Sequence, residues 1–122
     1  MAKSKTKSTK KPIEELDRIF HEKARLSILT FVVAEEEGIN FNNLKQKCDL
    51  TDGNLNRHLR VLTDAKILSV IKTGRGRTTN SVYSLTNFGR KSFENYLNAL
   101  EAVVRAAQNA AGKTVEVSVA PE

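Results

Sequence analysis

Residues 50–85 set down a helix, a strand, a basic glycine loop and a second strand with few residues between them. Leu55, Leu59 and Leu62 recur at three- and four-residue spacing, the buried stripe of a helix, while Arg57 and Arg60 fall on its other side. Thr51-Asp52-Gly53-Asn54 opens that helix, and Thr51 or Asp52 can accept hydrogen bonds from its first amides. Residues 67–71 and 81–85 read as strands flanking Thr73-Gly74-Arg75-Gly76-Arg77-Thr78-Thr79. The stretch Leu50-Thr51-Asp52-Gly53 is too short to be anything but a tight turn from a preceding helix. Two short helices joined by such a turn make a helix-turn-helix.

Upstream, Pro12 followed by Ile13-Glu14-Glu15-Leu16 suits a helix start, with acids in the first turn favoured by the dipole. Ile13, Leu16, Ile19 and Phe20 keep helical spacing. A second helix is expected over residues 22–36, burying Leu26, Ile28, Leu29, Val32 and Val33 and ended by Gly38. Residues 39–41 should be extended, with Asn42 capping a third helix through Cys48 whose inner side carries Phe41, Leu44 and Cys48. Thr86 is expected to cap a last helix running to Ala111, with Phe93, Tyr96, Leu97, Leu100, Val103, Val104 and Ala107 as its stripe. At ~1.5 Å per residue it would reach on the order of 35–40 Å, longer than a small domain can cover.

The net charge of +6 is unevenly spread. Residues 1–11 contribute +5, residues 12–51 contribute −3, residues 52–91 contribute +6 and residues 92–122 contribute −2. Within the folding part, positive charge is therefore concentrated on the helix and hairpin, the electrostatic footprint of phosphate binding. The plainer alternative is a solvated basic surface. On the helix, Gly53, Asn56, Arg57, Arg60 and Asp64 lie opposite Leu55, with Asn54 and Val61 flanking. Asn and Arg are the side chains best suited to bidentate contacts with adenine and guanine edges in the major groove. A glycine at the helix start allows close backbone approach, and the first amides can meet a phosphate. Arg75 and Arg77 at an acid-free hairpin tip suit a minor groove or the backbone. The glycine loop has neither a P-loop Lys-Ser pair nor Rossmann spacing, so it does not read as a nucleotide cradle.

The runs Leu50-Thr51-Asp52-Gly53-Asn54-Leu55-Asn56-Arg57-His58-Leu59-Arg60-Val61-Leu62, Gly74-Arg75-Gly76-Arg77-Thr78 and Tyr83-Ser84-Leu85-Thr86-Asn87-Phe88-Gly89-Arg90 resemble the winged-helix DNA-binding family of small prokaryotic transcriptional regulators, MarR-like and ArsR-like. The opening run of residues 16–29 resembles the start of the same family, and the likeness spans roughly residues 14–100. It implies a recognition helix at about 52–64, a wing at about 72–81 and a homodimer built on the terminal helices. Where the family often has Pro-Lys or Lys-Gly after Tyr-Ser-Leu-Thr, this chain has Asn87-Phe88, a departure that touches the cap of the last helix.

Other chemistries are poorly served. Cys48, His21 and His58 are far apart in sequence with no Cys-x-Cys pair, so no metal site and no cofactor are expected. His58, at the edge of the stripe, reads as a packed core histidine. Cys48, on the inner side of the third helix, reads as inert packing; the alternative is a redox switch, in which a single cysteine can bridge only to another chain. A lone cysteine suits a reducing cytoplasm. No apolar run approaches the ~18–20 residues of a membrane span, and no nucleophile–base–orienter set suggests an enzyme.

The expectation is a mainly α (α+β) fold: a winged helix-turn-helix with a two-stranded wing and a long C-terminal dimerisation helix. Residues 1–12 form a disordered basic tail, residues 13–111 the DNA-binding domain with its terminal dimerisation helices, and residues 112–122 a flexible tail. Asn56, Arg57 and Arg60 are the candidates for base edges, Thr51, Gly53 and Asn54 for holding the helix on phosphate, and Arg75 and Arg77 for the wing contact. Ile13, Leu16, Phe93, Leu97, Leu100 and Val104 are the candidates for the dimer interface. The expected function is regulation of transcription, more by blocking polymerase than by recruiting it. Double-stranded DNA is the expected partner, and no small-molecule effector can be read. The alternative is a winged-helix protein-interaction module without a specific DNA target.

Overall fold

The computed structural model describes residues 16–76 and 79–112. Residues 16–20 are helical (α1), followed by α2 (Lys23–Val33), β1 (Ile39–Asn40), α3 (Phe41–Cys48), α4 (Asp52–Asp64), β2 (Leu68–Thr73), β3 (Asn80–Leu85) and α5 (Asn87–Ala111). The strands form one antiparallel sheet in the order β1-β3-β2. Internal contacts group the chain into two units, one ending at Ser92 and one beginning at Phe93.

In the first unit, Phe20, Ile28, Leu29, Val32, Ile39, Leu44, Leu55, Leu59, Leu62, Ile67, Leu68 and Tyr83 make the core. The expected stripe of α4 is buried as the spacing requires, and His58 joins it at 4 % exposure. The hairpin pairs Leu68 with Leu85 through Thr73 with Asn80. It is not an isolated two-stranded wing, because Ile39 and Asn40 pair with Tyr83 and Val82.

Two local expectations are corrected. Asn40 rather than Asn42 caps α3, its side-chain oxygen accepting from Asn43 N at 2.8 Å. The second helix stops at Val33, which is 36 % exposed, and the three glutamates that follow lie in an exposed turn rather than a helix end. Glu35 N donates to Val32 O and Gly38 N to Glu35 O, three-residue bonds in place of the helical ladder. Three carboxylates at a helix C-terminus would oppose its dipole, which favours the early stop.

The end of α4 is closed by two backbone bonds, Lys66 N to Thr63 O and Ile67 N to Leu62 O, both 3.0 Å. This is a Schellman closure with Lys66 in the left-handed region (φ 66) and the apolar pair Leu62 and Ile67 buried beneath it. The start of α5 is fastened to the same corner. Thr86 N donates to Ile67 O, its hydroxyl donates to Lys66 O (2.6 Å) and accepts from Gly89 N (2.8 Å). Asn87-Phe88 is thus no obstacle to the cap, since Thr86 supplies it. Gly89 sits so close to the Ile67 carbonyl that a Cβ there would overlap its carbon and oxygen.

The second unit is the remainder of α5. Phe93 and Tyr96 are buried, whereas Leu97, Val103 and Val104 are exposed at 42 %, 63 % and 45 %. Arg105 and Glu101 pair one turn apart at 3.1 Å.

Candidate nucleic-acid interface

α4 turns one face to the core and the other to solvent. Thr51 caps it, its hydroxyl accepting from Asn54 N at 3.2 Å. Thr51, Asp52, Gly53, Asn54, Asn56, Arg57 and Arg60 are all exposed. The candidates Thr51, Gly53, Asn54, Asn56, Arg57 and Arg60 therefore share one solvent-facing surface. Arg57 Nη2 donates to Asn54 Oδ1 at 3.3 Å, so the guanidinium lies back along the first turn. A Cβ at Gly53 would meet nothing within 4 Å, so internal packing does not demand glycine there. Asp52 is the acid nearest the helix start, and Lys45 of α3 pairs with it at 2.8 Å.

The hairpin tip turns through Gly74 (φ 86) and Gly76 (φ 52), left-handed backbone that favours glycine, and exposes Arg75 between them. Arg77 lies outside the described residues, as do Ile13 and the two expected tails apart from Gly112. Of the other dimer candidates, Leu16 and Leu100 are half-buried, Phe93 is buried within the chain, and Leu97 and Val104 are open to solvent.

A groove of about 290 Å³ separates α4 from the hairpin. Asn56, Arg60 and Thr63 line its α4 side, with Lys72 of β2 and Tyr83 of β3 opposite. Lys72 and Tyr83 were not among the sequence candidates. The signal for Lys72 was available in strand alternation, which puts Leu68, Val70 and Lys72 on one face of β2.

Behind α4 lies a polar network that sequence spacing does not reveal. Glu22 caps α2, its Oε1 accepting from Ala24 N (2.9 Å) and Arg25 N (3.2 Å). Arg25 Nε donates to Ile19 O (2.9 Å), and its Nη1 lies 3.4 Å from His58 Nδ1. A guanidinium can only donate, so its partners assign Nδ1 as acceptor and leave the proton on Nε2, 4.0 Å from Glu22 Oε1. Burial lowers the His58 pKa first. The Glu22 carboxylate pulls it up, while Arg25 and Arg57 add to the lowering. For Glu22, burial acts to raise the pKa but is outweighed by the Arg25 amide, His58, the Ala24 amide and the Arg25 charge, leaving it low.

A pH dependence follows. Above the unfolded histidine value of ~6.5 the imidazole is neutral in both states and stability is at its plateau. As pH falls below that value the unfolded chain takes up the proton first, so stability declines until the depressed folded value is passed. Denaturant unfolding of wild type and His58→Gln across pH 5–8 should show a steeper acid decline in the wild type. Parallel curves would remove His58 as its source.

Cys48 is half-buried, and burial raises its thiol pKa against the opposing Ser27 hydrogen bond, as suits an inert thiol. Among the described residues no group of three metal-ligating side chains is assembled, and no helix is long and apolar enough to cross a membrane.

Residues 24–104 match the family model of the winged helix DNA-binding domain. An uncharacterized protein of Methanocaldococcus jannaschii is 35% identical over 80 residues, spanning 66% of this chain and 86% of that protein. The structure is similar to a transcriptional regulator homologue from Pyrococcus horikoshii, with a TM-score of 0.69 and 26% identity over 80% of this chain and 98% of that one. In fold it is also similar to MepR of S. aureus in complex with DNA, with a TM-score of 0.63 and 16% identity over 97% and 93% of the two chains.

Proposed function

The chain belongs to the winged helix DNA-binding domain family, and from that premise we propose that it is a sequence-specific regulator of transcription, acting as a homodimer on duplex DNA. The family is one of DNA-binding domains rather than of enzymes. In this reading α4 enters the major groove, where Asn56, Arg57 and Arg60 meet base edges. Thr51, Gly53 and Asn54 hold the helix start against phosphate, and Arg75 and Arg77 carry the wing to the minor groove or backbone. Blocking polymerase is the expected mode.

The observation that carries the reading is the exposed face of α4, which joins two asparagines and two arginines beside a hairpin tip exposing Arg75. Such a face offers the donor and acceptor pairs that distinguish bases. The homodimer is supported by the apolar stripe of α5, where Leu97, Val103 and Val104 stay exposed within one chain. A two-fold pair would set two α4 helices about 34 Å apart, one DNA turn.

Selection of bound sequences from a random duplex pool tests this directly. The expected winners carry two related half-sites spaced by about one helical turn. Arg60→Ala should weaken the winning site by roughly 1–3 kcal/mol and relax one base position. An unchanged base preference removes Arg60 from the reading set. Weak binding blind to sequence would favour the protein-interaction module instead.

A further inference from the structure

We propose that the groove between α4 and the hairpin seats one phosphodiester of the DNA backbone, with Lys72 as the cation that holds it. This rests on the DNA-binding reading and adds to it a residue that positions the protein without reading sequence.

Strand alternation brings Lys72 to the groove. Leu68 is buried, which marks its face of β2 as the one turned to the core, and Lys72 lies on that same face farther along the strand. There it looks across about 290 Å³ of open space at Arg60, with Asp64 the only acid among the described residues that line the groove. Among the described residues Lys72 has no ion-pair partner, so its ammonium group is open to an anion in the groove. The Thr63 hydroxyl is engaged with Arg60 O at 3.1 Å, and Asn56 and Arg60 are assigned to base edges, which leaves Lys72 as the cation to meet the phosphate.

Geometry selects a DNA phosphate over a free oxoanion. If α4 lies in a major groove and the hairpin tip reaches the adjacent minor groove, the sugar–phosphate strand dividing the two grooves must pass between α4 and β2. That is where Lys72 stands. A phosphate contact fixes register and orientation but carries no sequence information.

The test uses the full chain, with binding to the selected duplex measured by fluorescence anisotropy over a range of salt. Lys72→Gln is expected to lower affinity several-fold at 0.15 M salt. It should also reduce the slope of log affinity against log salt by about one per protomer, with the same sequences winning the pool selection. A duplex carrying one neutral methylphosphonate at the seat should bind wild type more weakly and leave Lys72→Gln unaffected. Lys72 is exposed, so unchanged thermal unfolding serves as the folding control. An unchanged slope, or a changed base preference, overturns the seat while leaving the DNA-binding reading standing. A wild-type chain that binds no duplex overturns both.

Discussion

Gly89→Ala is expected to lower the thermal midpoint by roughly 10–20 °C, corresponding to an overpacking cost of about 3 kcal/mol in a domain of this size. Helix propensity alone gives the opposite sign, since alanine is favoured over glycine inside a helix by about 1 kcal/mol. The close approach to Ile67 decides between them. A Cβ at position 89 would overlap the Ile67 carbonyl, which is backbone and cannot swing aside like a flexible side chain. That same carbonyl accepts from Thr86 N at 3.0 Å, and Lys66 O beside it accepts from the Thr86 hydroxyl. Moving the corner to make room would therefore break the cap of α5 and disturb the closure of α4 together. Calorimetry on the purified variant checks this. A midpoint equal to or above that of wild type would mean that α5 does not start against the α4–β2 corner.

The second large effect is on binding. Affinity for the selected duplex should fall by about 10³-fold or more between 50 and 200 mM salt, the behaviour of a protein that neutralises roughly six or more phosphates. Residues 52–91 carry +6 in each chain, and a dimer presents that charge twice. Arg57, Arg60, Lys72 and Arg75 belong to this segment, and all four are exposed. Exposed cations act through counterion release, so their contribution is the part that salt removes. Anisotropy titrations at four or five salt concentrations give the slope. A slope equivalent to only one or two ions would reassign the basic face to a protein partner.

Much of this architecture was legible because it is written in short-range patterns. The stripe Leu55, Leu59, Leu62 and the cap at Thr51 define α4 from within its own residues, and two glycines mark the hairpin tip. What escaped depended on residues distant in sequence. Asn40 caps α3 because Ile39 and Asn40 are already extended in pairing with β3, a partner more than forty positions away. The groove needs α4 and β2 brought face to face before Lys72 acquires a role. His58 was readable as a packed histidine, but its ties to Arg25 and Glu22 join α4 to the start of α2 across a separation of more than thirty residues. The early end of α2 reflects charge at a helix terminus overriding a glycine stop signal placed further on.

The short strand β1 has a consequence for how the molecule opens. Its two residues pair with β3, so the chain from Ile39 to Tyr83 forms a closed loop that contains α3, α4 and β2. Hairpin β2–β3 joins neighbours in sequence and closes at little entropic expense, whereas zipping β1 onto it must gather a segment of roughly forty residues. Order of assembly follows from this: hairpin first, β1 last, with the helix-turn-helix captured as the loop shuts. The reverse holds in partial unfolding. Releasing two residue pairs at β1 would unlatch the loop that carries α4 while leaving the hairpin intact, which makes Ile39–Asn40 the seam along which local opening should begin.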